Sequence, residues 1–90
     1  MELIFSKKFK KQAKKLVQNK LNLKERINKV LIDFSKNKRN SMYYRKKLQG
    51  KYVGNEELQV GGDIRIIVRI NAEDTKTVLR FIGTHSQLDL

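Results

Sequence analysis

Cysteine, proline and tryptophan are all missing from this 90-residue chain. Without cysteine there is neither a disulfide nor a thiolate metal site, so packing alone must hold the fold, as suits a reducing compartment. Without proline, breaks between elements fall to Asn, Ser and Gly. No apolar run approaches the roughly 20 residues that span a bilayer. At the N-terminus, Met1-Glu2-Leu3-Ile4-Phe5 precedes the first lysines, the reverse of a secretory signal. These absences predict a cytoplasmic protein with no membrane association. Acidic residues are also scarce, 9 against 21 Lys and Arg, for a formal charge of +12. That excess predicts a polyanionic partner. It is concentrated in residues 1–51, which carry 17 basic and 3 acidic side chains, whereas residues 52–90 carry 4 and 6.

Ninety residues suffice for one small domain, 1–90, with one modest core. Met1 to Phe5 reads as a first strand. Ser6 is a candidate N-cap for a helix in which Phe9, Ala13, Leu16 and Val17 fall on one face among six lysines, ending near Gln18-Asn19-Lys20. Asn22 and Glu25 have the spacing of a capping box. Ile27, Val30, Leu31 and Phe34 mark one face of a second helix, which the polar residues Lys36 to Ser41 end. Residues 42–54 read as a basic loop containing tyrosines. Thereafter the period becomes two: a strand from Asn55 to Val60, a Gly61-Gly62 turn, a strand from Asp63 to Ile70, a turn over 71–76, and a last strand from Thr77 to Gly83. The predicted fold is α+β, ordered β-α-α-β-β-β. A helical hairpin covers one face of a small antiparallel sheet, and the other face stays partly open.

The strand Ile64-Arg65-Ile66-Ile67-Val68-Arg69-Ile70 puts Ile64, Ile66, Val68 and Ile70 on one face and Arg65, Ile67 and Arg69 on the other. The two arginines, roughly 13 Å apart at about 3.3 Å per residue, suit neighbouring phosphates or simply a solvated face. His85, the only histidine, directly follows the last strand. It suits proton transfer near neutral pH or is merely a tail residue.

Three blocks taken together, Leu48-Gln49-Gly50-Lys51-Tyr52, Gly61-Gly62-Asp63-Ile64-Arg65 and Gly83-Thr84-His85-Ser86-Gln87-Leu88, resemble the RelE/ParE superfamily of type II toxin-antitoxin toxins, in particular its YafQ-like mRNA interferase branch. The resemblance covers nearly the whole chain and implies the compact RelE-like fold. It implies a toxin that inhibits translation by cutting mRNA in the ribosomal A site. In that reaction the ribose 2′-hydroxyl attacks the adjacent phosphate, with general acid and base help and neither metal nor cofactor. It implies that His85 transfers protons, that Arg65 lies against the scissile phosphate, and that Asp63 orients a base or takes a proton. Asp63 is equally an ordinary turn residue. Lys46, Lys47 and Lys51 of the basic loop, with Arg69 and Arg80, become candidate RNA contacts. A cognate antitoxin is implied as partner in a hetero-oligomer, and the lysine-rich first helix is a candidate surface for it or for RNA.

The chain departs from the branch where Lys46 and Gln59 replace histidines. Phe81 also stands where an arginine usually precedes the final histidine by four. Strand alternation turns Arg80 to the wrong face unless a bulge re-aims it. Glu56-Glu57 places negative charge on a strand often basic in relatives, so one of the two turns away or serves as a base. Two other readings stay open: the resemblance also admits a ParE-like toxin directed at gyrase, and the lysine-dense first helix would suffice for a non-catalytic basic RNA-binding module.

Overall fold

A computed structural model describes residues 1–36 and 46–90. Strand β1 spans Glu2–Phe5, helix α1 Lys7–Leu16, helix α2 Leu21–Lys36, β2 Lys46–Lys47, β3 Glu56–Gly61, β4 Ile64–Ile70 and β5 Lys76–Thr84, with a 3-10 turn at Gly50–Tyr52. The polar loop expected after Lys36 and the first part of the basic loop, 37–45, lie outside the described residues.

The sheet order is β1-β5-β4-β3-β2. Strands β3 to β5 form the antiparallel meander the sequence led us to expect, β2 adds antiparallel to β3 from within the expected loop, and β1 adds in parallel beside β5. The sheet is therefore mixed. Two hairpin turns cannot bring β1 home; the helical hairpin carries the chain across one sheet face instead. Where β1 stops, α1 continues along the same edge. The Ser6 backbone N–H donates to the Leu79 carbonyl at 3.1 Å, and the Gln12 side-chain oxygen accepts from the Ile82 N–H at 3.0 Å. An edge that would otherwise leave strand N–H groups unpaired is thus closed by a helix.

Ser6 caps α1 as its position suggested, its Oγ accepting from the Phe9 N–H at 3.0 Å. The helix stops at Leu16, and Asn19 turns the chain in the left-handed region at φ 59°, which Asn tolerates better than most residues. That tight turn starts α2 at Leu21. The Lys20 carbonyl accepts from the Lys24 N–H at 3.1 Å, so Asn22 lies inside the first turn and the expected Asn22–Glu25 capping box is displaced. In the basic loop, Lys46 and Lys47 form a two-residue strand opposite Glu57 and Glu56. The acidic pair on β3 thus has lysines as its cross-strand neighbours, a favourable pairing.

Phe9, Ile27, Val30, Leu31 and Phe34 from the helices pack on Leu58, Val60, Ile66, Val68, Leu79 and Ile82 from the sheet. The four β4 residues assigned to the core face all join this cluster. The opposite face is less open than expected. Ile67, wholly buried, is covered by Leu48 and Leu88, with Tyr52, Phe81 and Leu90 packed around them. Among the described residues no helix is long and apolar enough to cross a membrane.

Candidate active site

On the sheet face away from the helices, the end of β5 and the loop after β2 enclose a cleft of about 380 Å³. Lys46, Lys47, Lys51, Tyr52, Glu57 and His85 are among its lining residues. His85 is exposed and follows β5 directly. Its main chain is pinned on both sides: its N–H donates to the Asp63 carbonyl at 3.0 Å, and its carbonyl accepts from the Leu90 N–H at 3.1 Å. Asp63 thus meets His85 through its backbone, a contact that needs no carboxylate.

The turn from Thr84 to Leu90 is itself tied down. Thr84 and Gln87 cap each other, Gln87 Oε1 accepting from the Thr84 N–H at 2.8 Å and Thr84 Oγ1 accepting from the Gln87 N–H at 3.1 Å. The Tyr52 hydroxyl donates to the Leu88 carbonyl at 2.7 Å, while the Leu88 side chain is buried beneath. Lys51 Nζ lies 3.1 Å from Asp89 Oδ2. This hydrogen bond, more than any other neighbour, raises the Lys51 ammonium above the ordinary 10.5. Gly83 packs closely under this turn: a Cβ there would meet Gln87 Oε1 at 3.0 Å, so the Gln87 side chain would have to give way by a few tenths of an ångström.

Arg65 projects to the same sheet face. Its Nε stands 2.8 Å from Glu57 Oε1, with the two side chains 14% and 7% exposed. The N–H points off the oxygen, which leaves Nε without a directed hydrogen bond; charge holds the pair. Nη1 donates to the Gly62 and Ile64 carbonyls at 3.0 and 3.1 Å. In the sheet Arg65 sits between Gln59 on β3 and Gly83 on β5, so it is one step from the residues that lead into His85. Glu57 joins the two halves of the site, since it pairs with Arg65 and lines the cleft with His85.

The β4–β5 register slips between Ile67↔Phe81 and Val68↔Leu79, leaving Arg80 as the extra residue. Leu79 and Ile82, three apart, both reach the helix-side core. The bulge therefore frees Arg80 to join Phe81 on the cleft side. Its guanidinium lies 5.2 Å from the Phe81 ring centre, and its Nη1 donates to Asn55 Oδ1 at 3.1 Å. Strict alternation had pointed it the other way.

The cleft brings together His85, Lys46, Lys47 and Lys51. Asp63, Arg65 and Arg80 do not line it: Asp63 meets His85 through its carbonyl, Arg65 is joined to the cleft through Glu57, and Arg80 is held by Asn55 over the Phe81 ring, while Arg69 lies exposed farther along β4, paired in register with Val78. Sequence reasoning left Glu57 undecided and passed over Asp89 and Gln87. Leu58 and Val60 mark the core face of β3, so alternation leaves Glu57 and Gln59 on the face of Arg65. Counting back from a Gly61-Gly62 turn gives the wrong partner, because the register shifts between Gln59 and Gly61. The Lys51–Asp89 pair had no signal in local spacing.

A family model for the bacterial toxin of type II toxin-antitoxin systems, YafQ, matches residues 1–90. The chain belongs to the YafQ toxin family. Its fold is shared by YafQ from Escherichia coli strain BL21(DE3), at TM-score 0.79 and 20% identity over 97% of this chain and 96% of that one. YafQ in the E. coli DinJ-YafQ complex gives 0.77 and 21% over the same shares. A metal-bound toxin from Helicobacter pylori gives 0.79 and 27% over 98% of both chains. No match emerges among curated proteins. Among the described residues of this YafQ-family chain, no three His, Asp or Glu side chains gather as metal ligands.

Proposed function

We propose that this toxin, acting as one domain over residues 1–90, cleaves mRNA on the ribosome and is held in check by a cognate antitoxin in a cytoplasmic complex. The observation that carries the reading is the placement of His85 in a lysine-lined cleft that also contains Glu57, itself paired with Arg65. The fold alone does not make a nuclease; this grouping supplies the parts one needs.

In the proposed reaction the 2′-oxygen forms a bond to the adjacent phosphorus while the bond from phosphorus to the 5′-oxygen breaks. Glu57 takes the 2′-hydroxyl proton, and His85 gives a proton to the departing 5′-oxygen. Charge gathers on the phosphorane oxygens and is met by Arg65 with Lys46 and Lys47. Asp63 serves through its carbonyl, which fixes the main chain that carries the imidazole. Lys51 and Arg80 bind flanking phosphates, and Arg69, exposed four residues along β4 from Arg65, meets the RNA backbone farther along.

The test is end-mapping of mRNA on programmed ribosomes with purified toxin. The expected ends are a 2′,3′-cyclic phosphate and a 5′-hydroxyl, with His85→Ala slower by about 10²–10⁴-fold. Intact mRNA with the wild-type chain, or full activity in His85→Ala, would refute the reading.

A further inference from the structure

The residue that caps α1 also grips the sheet. Ser6 Oγ accepts from the Phe9 N–H, and its hydroxyl donates to the Arg80 carbonyl at 3.0 Å. The Ser6 backbone N–H donates to the preceding carbonyl, that of Leu79, at 3.1 Å. In a regular strand, successive carbonyls point to opposite neighbours. Two in a row turned to one edge follow from the bulge at Arg80. The Ile82 N–H faces this edge too, bonded to Gln12 Oε1 at 3.0 Å, whereas unbroken alternation from Leu79 would turn it toward β4. Ser6 thus supplies the partner of a carbonyl that the bulge takes out of the β4–β5 ladder.

Past the bulge, the Arg80 side chain is received by Asn55, which is 4% exposed. Asn55 Nδ2 donates to the Tyr52 and Val53 carbonyls at 2.9 and 3.4 Å, which leaves Oδ1 to accept from Arg80 Nη1 at 3.1 Å. The amide is neutral, so it aims the guanidinium without cancelling its charge. Phe81, against which Arg80 lies, packs on Tyr52 at 5.9 Å between ring centres, and Tyr52 lines the cleft that holds His85.

We propose that Ser6 is a positioning residue for RNA: its hydroxyl holds the bulge that brings Arg80 to the cleft side, where Asn55 aims the guanidinium at a phosphate flanking the one at His85. This rests on the reading that RNA enters the sheet-face cleft. Without the bulge, Arg80 would point to the helix-side core with Leu79 and Ile82, and β5 has no other arginine to take its place. Ser6 itself, at the far edge of β5, touches no RNA.

The test is the affinity of the full chain for a short single-stranded RNA with one 2′-deoxy sugar at the reacting position, which binds without being cut. Ser6→Ala should weaken binding by about three- to tenfold, the worth of one hydrogen bond. Ser6→Asp keeps the helix cap but has no proton to donate to the Arg80 carbonyl, and it should weaken binding as well. Ser6→Thr keeps both bonds and should bind as the wild type does. In an Arg80→Ala background the loss from Ser6→Ala should vanish, since no guanidinium is left to place. By NMR, the Asn55 side-chain amide should move in Ser6→Ala in the direction it moves in Arg80→Ala, a change that loss of a helix cap alone would not cause. Full affinity in Ser6→Asp would assign the effect to the cap and overturn the proposal. An equal loss with and without Arg80, or an Asn55 amide that ignores Ser6, would overturn it too. A wild-type chain that binds the RNA without this coupling defeats the inference alone; one that fails to bind it defeats the cleft reading, and this inference with it.

Discussion

Glu57→Gln removes one charge from an ion pair that is almost wholly out of water. Arg65 is left with a guanidinium 14% exposed and no counter-charge, its Nη1 still held by the Gly62 and Ile64 carbonyls. Breaking one side of a buried pair typically costs about 3–5 kcal/mol. The surviving carbonyl contacts, and the amide oxygen that takes the place of the carboxylate, should reduce this to about 2–3 kcal/mol. For a domain of this size, about 2–3 kcal/mol lowers Tm by roughly 8–24 °C. Replacing both partners, as in Glu57→Leu/Arg65→Met, should restore most of the stability, because an apolar pair avoids the desolvation that two ions carry. Urea melts followed by circular dichroism, run on the singles and the double, give the coupling energy. The double variant is expected to be folded but inactive in mRNA cleavage, which would place the value of the pair in chemistry. Additive single effects below about 0.5 kcal/mol each would refute the reasoning, since exposed pairs behave that way.

Tyr52→Phe deletes the bond to the Leu88 carbonyl and keeps the ring against Phe81. It should lower kcat several-fold with KM unchanged and speed hydrogen exchange at the His85 and Leu90 amides. Gly83→Ala pushes Gln87 off the Thr84 N–H, and the same exchange experiment should show the tail loosened with the sheet intact. Lys51 is raised above 10.5 by Asp89, so its pairing is complete at neutral pH and is lost only as pH climbs through the raised value. In Asp89→Asn the ammonium should titrate closer to 10.5 by NMR. Phe34→Ala, at a side chain 1% exposed, should cost about 3–5 kcal/mol by urea melts.

Periodicity made most of the scaffold legible. The Ile64 to Ile70 alternation separated core from cleft residue by residue, and Phe9, Ile27, Val30, Leu31 and Phe34 marked the helix faces that pack on it. What spacing hid was set by long-range pairing. Met1 to Phe5 read as a strand, but its parallel place beside β5 depends on the helices crossing the sheet. Asn22 looked like a cap until the left-handed Asn19 started the helix earlier. Arg80 was readable only as a conditional: alternation aimed it at the core side, and the bulge that reverses it is a feature of the β4–β5 register. His85 and Lys46 could be named from residue type and family resemblance. Glu57 needed the hairpin register, and the tail that pins His85 through Leu88, Asp89 and Leu90 needed the three-dimensional path of the last turn.

The claim at the centre is that RNA enters the cleft on the sheet face and brings one phosphodiester to His85 and Arg65. Titrating the labelled chain with a short RNA, blocked by a single 2′-deoxy sugar at the reacting position, tests it directly. The account predicts NMR shifts at the His85 imidazole, the Arg65 guanidinium, Lys46 and Glu57. Shifts confined to the lysines of α1, with His85 and Arg65 undisturbed, would contradict it.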